Sequence, residues 1–134
     1  MGNSLRLSLK REWFEMTKAG IKTEDYREIN EYWFKRLVFH WQKVAKYYNI
    51  DPFNDIEIKT ICSDSFWQKT IAFKPIDENV MTLGYPKSAD TDRILTLQHK
   101  GIEIGYGKSE WGAEPNKLYF VIKHGAIIEG GTNG

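Results

Sequence analysis

The sequence has one cysteine, three histidines and no long apolar run among its 134 residues. A single cysteine cannot form an intramolecular disulfide, which excludes a disulfide-stapled secreted scaffold and favours a reducing, cytoplasmic location. No apolar run reaches the roughly 18 residues that a membrane span needs, and the N-terminus has no signal-peptide apolar core. The histidines show no metal-ligand spacing with Cys62 or with carboxylates. We therefore expect no membrane partner, no metal and no cofactor.

The net charge is also small, at +1, which is too low for a protein that contacts many phosphates. The charge is unevenly distributed. Residues 1–50 hold ten Lys and Arg against six Asp and Glu, whereas residues 51–134 hold nine against twelve. This balance still permits contact with a few nucleotides or with one nucleoside. The length and a hydrophobic fraction of 41% fit a single domain over residues 1–134.

The hydrophobic pattern predicts two helices in the first 50 residues. Alternating leucines predict a strand over 5–9, and the helix that follows over 10–19 ends at Gly20, where a positive φ is favoured. Residues 22–29 are predicted to form a turn and a short strand. The apolar period over 31–48 then predicts one long helix with a buried face.

The rest of the chain is predicted to be mainly strands. Isoleucines over 56–61 favour a strand, and further strands are expected over 70–73, 80–85, 94–107 (one bent strand or two) and 118–122, the last covered on both faces. The small and polar residues at 130–134 are predicted to form a flexible tail. Strands thus outnumber helices, which predicts an α+β fold with a small mixed sheet or barrel and helices packed at one side.

The densest polar cluster is the segment Gly20-Ile21-Lys22-Thr23-Glu24-Asp25-Tyr26-Arg27. In an extended strand Thr23, Asp25 and Arg27 share one face, and Glu24 and Tyr26 share the other. One interpretation is a solvated edge strand whose surface ion pairs contribute little. The other is a binding site in which a lysine and an arginine present donors to an anionic ligand.

This segment, preceded by the strand and the first helix, resembles the signature of the ASCH domain, G-x-K-x-x-[E/D]-x-R. Two further blocks, Tyr32-Trp33-Phe34-Lys35-Arg36-Leu37 and Glu110-Trp111-Gly112-Ala113-Glu114-Pro115 with the following strand, resemble the phage and prophage branch of that family. Residues 39–70 match no part of the pattern and are interpreted as a branch-specific elaboration. The resemblance implies a PUA-like mixed β-barrel of about five or six strands with two or more helices at one side.

The resemblance also implies RNA or nucleotide binding in a cleft. By position in the motif, Lys22, Asp25 and Arg27 would line the cleft, and Lys10 and Glu24 would lie near it. Trp111 is either a stacking platform for a base or a plug at the end of the barrel. The identity of the ligand and the oligomeric state stay open.

Two other functions remain as alternatives. One branch of the family removes acetyl groups from N4-acetylcytidine with a lysine and a threonine three residues later, but here Asp25 follows Lys22 at that spacing. An enzyme of this kind, or a ribonuclease, would use Lys22 and Asp25 as catalytic residues, and we expect no such activity. A second alternative is a phage accessory protein that binds a host protein through the aromatic helix at 34–48.

Overall fold

The computed structural model describes residues 3–130. The predicted tail, apart from Gly130, lies outside this range. The elements are β1 (Ser4–Leu9), α1 (Arg11–Lys18), β2 (Glu24–Arg27), α2 (Glu31–Leu37), α3 (Trp41–Tyr48), α4 (Asp55–Cys62), α5 (Ser65–Thr70), β3 (Glu78–Leu83), β4 (Ile94–Tyr106) and β5 (Leu118–Glu129). No helix within 3–130 is long and apolar enough to cross a membrane.

The five strands belong to one sheet in the order β1-β3-β4-β5-β2. Strand β1 runs parallel to β3, with Leu5 beside Asn79 and Leu9 beside Leu83, whereas β4 runs antiparallel to β3. The predicted α+β class with a mixed sheet of five strands is confirmed. The strand predicted at 80–85 lies two residues earlier, and 94–107 forms a single strand with Gly101 at φ 115°.

The chain divides into two compact units. Within the described range, the first comprises 3–25, 76–101 and 122–130, and the second comprises 26–75 and 102–121. In the first unit the alternating leucines of β1 are buried, as predicted. Residues of β3 and β4 are buried as well, so that the buried apolar side chains of the three strands are Leu5, Leu7, Leu9, Met81, Leu83, Leu95 and Leu97.

Helix α1 ends as its sequence predicts. Gly20 has φ 77°, its N–H donates to the Thr17 carbonyl, and the Ile21 N–H donates to the Met16 carbonyl at 3.0 Å. These two bonds form a Schellman motif, which requires a residue that tolerates the left-handed conformation. The motif turns the chain sharply, so that Lys22 follows directly after the end of the helix.

The single helix predicted over 31–48 is wrong, because the chain breaks between α2 and α3. Val38 is extended and fully buried, and it forms a bridge with Phe73, while His40 adopts a left-handed conformation at φ 50°. The Phe39 N–H donates to the Ala72 carbonyl at 3.0 Å. This pairing with a distant segment replaces the helical hydrogen bonds that the local pattern favours.

The strands predicted over 56–61 and 70–73 are also wrong. Residues 56–61 lie in α4, whose start is capped by the Asn54 side chain, accepting from the backbone N–H of Ile56 and Glu57. Thr70 ends α5, whose cap is the Asp64 side chain. Helix N-caps of this type stabilise a helix by about 1 kcal/mol. The elaboration predicted at 39–70 is therefore helical.

Aromatic packing forms much of the core of the second unit. Trp67 is 1% exposed, and its ring lies 6.5 Å from that of Phe34 and 6.4 Å from that of Tyr48. Phe120 of β5 packs edge-on against Phe73 at 6.0 Å. Residues 119–122 are all buried, which confirms the prediction of a strand covered on both faces. β5 itself continues to Glu129, seven residues beyond the predicted end.

Candidate functional site

The first unit holds a buried ion pair between Lys22 and Asp25. The Lys22 Nζ lies 3.2 Å from Asp25 Oδ1 and donates to the Glu24 carbonyl, and the two side chains are only 1% and 6% exposed. The ammonium also lies 6.0 Å from the centroid of the Trp13 ring on α1. The structure therefore brings together three predicted site residues, with the lysine and the aspartate paired to each other.

The backbone around this pair is tied to its surroundings on both sides. The Lys22 N–H donates to the Met16 carbonyl at 3.1 Å, and the Thr23 carbonyl accepts from the His124 N–H at 3.0 Å. Two opposite charges that leave water together need close contact and further hydrogen bonds to offset their desolvation. A lysine in contact with a carboxylate inside a protein can hold a proton at a defined position, which is a requirement of acid–base chemistry.

A row of three polar side chains near this segment was not predicted. Asn79, which is fully buried, accepts from His99 Nδ1 at 2.8 Å and donates to His124 Nδ1 at 2.8 Å. Burial lowers the pKa of His99, and the nearby Asp77 charge opposes that shift. The spacing of the histidines, which predicts no metal site, does not reveal this row. The available signal was Asn79 itself, a polar residue that alternates with Met81 and Leu83 on the buried face of β3.

The second unit holds a cluster of cations on aromatic rings, which we call the arginine–tryptophan cluster (Arg27, Tyr32, Trp33 and Arg36). The guanidinium carbons of Arg27 and Arg36 lie 5.1 and 5.5 Å from the centroid of the same Trp33 ring. Arg36 Nη1 also donates to the Tyr32 hydroxyl at 2.9 Å. An aromatic face attracts a guanidinium, and the planar fork of an arginine matches the oxygens of a phosphate.

The start of α2 fixes the tryptophan of this cluster. The Asn30 side chain accepts from the Trp33 N–H at 3.0 Å and caps the helix. Arg27 ends β2, four residues before the helix begins, and Arg36 lies one turn after Trp33. The spacing of a short strand, a capped turn and a helix thus places both arginines at one indole ring.

A cavity of about 540 Å³ lies beside α2, in the range typical of small-molecule sites. Its walls are formed by polar and charged residues together with one tyrosine: Asn30, Glu31, Tyr32, Lys35, Arg36 and Asp55. Lys35 pairs with Glu31 at 2.8 Å, and Asp55 Oδ1 accepts from the Glu31 N–H at 2.9 Å. In the sequence, residues 32–37 contribute only to the family resemblance, and their pattern does not predict this cavity.

Trp111 lies in a single 3-10 turn of the second unit, Ser109–Trp111, and is half-buried. The Lys108 Nζ lies 4.4 Å from the centroid of its ring. The Lys108 N–H donates to the Tyr26 hydroxyl at 3.0 Å, which ties this loop to β2. The ring thus carries a lysine over its face and is neither fully buried nor fully exposed.

The end of the same loop is fixed by Lys117. Its ammonium lies 2.7 Å from Glu28 and 3.0 Å from Glu114, and these carboxylates raise its pKa above the ordinary range. The Glu114 N–H donates to the Tyr119 hydroxyl at 2.9 Å. The loop between β4 and β5 is therefore anchored at both ends within the second unit.

The remaining predicted site residue, Lys10, is exposed at the N-cap of α1 in the first unit. Of the six candidates, Lys22, Glu24 and Asp25 are brought together in the first unit, and Arg27 and Trp111 lie in the second. Among residues 3–130, no three His, Cys, Asp or Glu side chains are grouped as metal ligands. Comparison with protein-family models, curated proteins and solved structures gives no match.

Proposed function

We propose that the protein is an ASCH-type, PUA-like domain that binds RNA or a nucleotide through the arginine–tryptophan cluster. The observation that carries the proposal is the position of two guanidinium groups, Arg27 and Arg36, at 5.1 and 5.5 Å from one indole ring. Arginine stays charged at all physiological pH values, and its planar fork matches two oxygens of a phosphate. Arg27 is also the arginine of the motif that resembles the ASCH signature.

The lysine and the aspartate of that motif have a different role in the proposal. Because Lys22 and Asp25 are buried and paired, they fix the backbone of 22–25 and do not supply charge at a surface. A pair of this kind contributes little net affinity for a ligand but specifies one local conformation. The contact to the ligand is therefore assigned to Arg27 and Arg36.

The test is the affinity for a fluorescently labelled single-stranded RNA, measured by polarisation at low salt. We expect Arg27→Ala and Arg36→Ala each to weaken binding about tenfold, since a charge-assisted hydrogen bond contributes roughly 1.5–3 kcal/mol. Lys87→Ala, which removes an exposed lysine of the first unit, is the matched control and leaves the affinity unchanged. An equal loss from all three substitutions contradicts the proposal, because it indicates diffuse attraction without a site.

A hydrolase acting on a modified nucleoside is the less favoured candidate. Asp25 stands where the acetyl-removing branch has its threonine, and the Lys22 Nζ contacts its carboxylate, so the lysine is engaged and not poised as a base. The host-binding alternative would use the aromatic stripe of α2 and α3, which is divided in its exposure. Phe34, Leu37, Val38 and Ala45 are buried, whereas Trp41, Val44 and Tyr48 are half-buried. The single cysteine, which is buried, supports a cytoplasmic location.

A further inference from the structure

We infer that the cavity beside α2 is a nucleobase subsite that prefers guanine, so that the ligand is a single-stranded RNA with a guanine at this position. The inference rests on the proposed function. Arg36 belongs both to the arginine–tryptophan cluster and to the wall of the cavity. A phosphate at the cluster and a base in the cavity are then parts of the same ligand.

The cavity has both the room and the aromatic surface that a base requires. Its volume of about 540 Å³ accommodates a nucleotide. Tyr32 on its wall is 58% exposed, yet its ring is held by the Arg36 hydrogen bond to its hydroxyl and by edge-on contact with Trp33 at 4.9 Å. An aromatic ring that is fixed before binding loses little entropy when a base stacks on it.

The wall of the cavity carries both acceptors and donors. Asp55 uses one oxygen, Oδ1, to accept from the Glu31 N–H, and its carboxylate retains further acceptor capacity. The Asn30 oxygen accepts from the Trp33 N–H, so its amide group is the end that offers donors. The cavity therefore presents a carboxylate together with an amide donor.

Guanine fits this arrangement better than the other three bases. Its Watson–Crick edge carries two adjacent N–H donors, N1 and N2, which a carboxylate can accept together, and beside them the O6 acceptor, which an amide donor can reach. Adenine and cytosine offer one amino group at that edge, and uracil offers one imino group. A carboxylate on the cavity wall thus selects guanine through the second donor.

The experiment measures the affinity of four RNA pentanucleotides, UUGUU, UUAUU, UUCUU and UUUUU, for the wild-type protein and for Asp55→Asn. This substitution keeps one oxygen that accepts from the Glu31 N–H and replaces the other oxygen by an NH2 group. One hydrogen-bond acceptor of the cavity thus becomes a donor. We expect the wild type to bind UUGUU about tenfold more tightly than the other three. We expect Asp55→Asn to lose that preference and to bind the four RNAs with similar affinity.

A matched control is Glu57→Gln on the same helix, where the amide oxygen retains the hydrogen bond from the Asp51 N–H. Glu57→Gln should keep the guanine preference, and circular dichroism with thermal unfolding establishes that both variants fold. Equal affinity for all four RNAs, a preference for another base, or a guanine preference that survives Asp55→Asn overturns the subsite. If that happens while Arg27→Ala still weakens binding of every RNA, the proposed function stands. If none of the RNAs binds, the proposed function and the subsite are both overturned.

Discussion

The Lys22 ammonium lies 3.2 Å from the Asp25 carboxylate, and both side chains are almost completely removed from water. In an exposed pair of this spacing, the charges would be solvated and their attraction would contribute little. In a buried pair, each charge has lost its hydration shell, and the attraction of the opposite charge compensates part of that lost hydration free energy. This dependence makes the two residues of the G-x-K segment energetically coupled.

The first prediction concerns that coupling. Lys22→Met removes the ammonium that lies beside the buried Asp25 carboxylate and should lower the free energy of unfolding by about 3–5 kcal/mol. Asp25→Leu should lower the free energy of unfolding by a similar amount, because it removes the carboxylate that lies beside the buried Lys22 ammonium. The double variant, which removes both charges, should be far more stable than the sum of the single losses predicts. Urea denaturation of the four proteins measures the cycle, and additive losses would show that the pair is not coupled.

This part of the chain shows how far sequence reasoning reaches. Gly20 as the end of α1 and residues 24–27 as a strand follow from local rules on helix termini and turns. The pairing of Lys22 with Asp25 does not follow from them, because in an extended strand residues three apart point to opposite faces. Lys22 meets Asp25 because it lies in the turn before the strand, and burial by the surrounding unit then holds the contact.

The second prediction concerns the dependence of RNA binding on salt. Because the proposed contact involves few cations, log K should fall with log salt with a slope of about −2 to −3, at roughly 0.7 per phosphate on a single strand. Arg27→Ala should make the slope shallower by about 0.7, whereas Lys87→Ala should leave it unchanged. Polarisation titrations at several salt concentrations between about 50 and about 300 mM give the slopes. A steep slope that no single arginine changes would indicate a long, diffuse footprint.

The third prediction concerns pH and stability. Burial lowers the pKa of His99 below its ordinary value of 6.5 in the folded protein. Below pH 6.5 the unfolded chain therefore binds a proton that the folded chain does not, so the stability contributed by neutral His99 is present above pH 6.5 and is lost as the pH falls through the folded pKa. His99→Gln, which keeps a group able to donate to Asn79, should flatten this part of the curve.

The pH dependence of the stability is measured by chemical denaturation at several pH values between about 7 and about 4, the range over which histidine titrates. Asp77→Asn is an informative companion, because the Asp77 charge raises the His99 pKa. Without that charge the His99 pKa should fall further and the loss of stability should extend to lower pH. Identical pH profiles for the wild type and His99→Gln would show that His99 does not titrate with folding.

The fourth prediction concerns Cys62, which is fully buried in α4. Burial raises the pKa of its thiol to about 12, and only the thiolate reacts with disulfide reagents. At pH 8 the folded protein should therefore react with a chromogenic disulfide at least about a hundredfold more slowly than a small thiol of pKa near 8.5. The protein unfolded in guanidinium serves as the control and should react at the rate of the small thiol. Rapid labelling of the folded protein would mean that α4 opens readily.

Helices α4 and α5 were not predicted, because the signals in their sequence compete. The isoleucines at 56, 58 and 61 fit strand and helix periods equally over so short a run. The deciding residues were Asn54 and Asp64, whose side chains cap α4 and α5. Both precede the helices they cap and both are strong N-cap residues, so weighing the caps above the apolar run would have predicted two helices. The break at Val38 has no such local signal, since it depends on pairing with Phe73.

The last prediction concerns catalysis by the Lys22–Asp25 pair. Hydrolysis of N4-acetylcytidine requires a nucleophile with a base within hydrogen-bond reach and donors for the developing oxyanion. Here the Lys22 ammonium already pairs with Asp25 and donates to the Glu24 carbonyl, and its side chain is 1% exposed. We therefore expect the wild type to release no acetate above background.

Asp25→Thr places a hydroxyl three residues after the lysine and removes the carboxylate that holds the ammonium. A buried lysine without its counterion favours the neutral amine, which can act as a base toward that hydroxyl. This variant should release cytidine from N4-acetylcytidine at a rate that chromatography can measure. Asp25→Val, which has nearly the same shape as the threonine variant but no hydroxyl, should release none. Turnover by the wild type that is abolished in Lys22→Met would contradict the expectation, because it would assign the nucleophilic or water-positioning role to Asp25 itself.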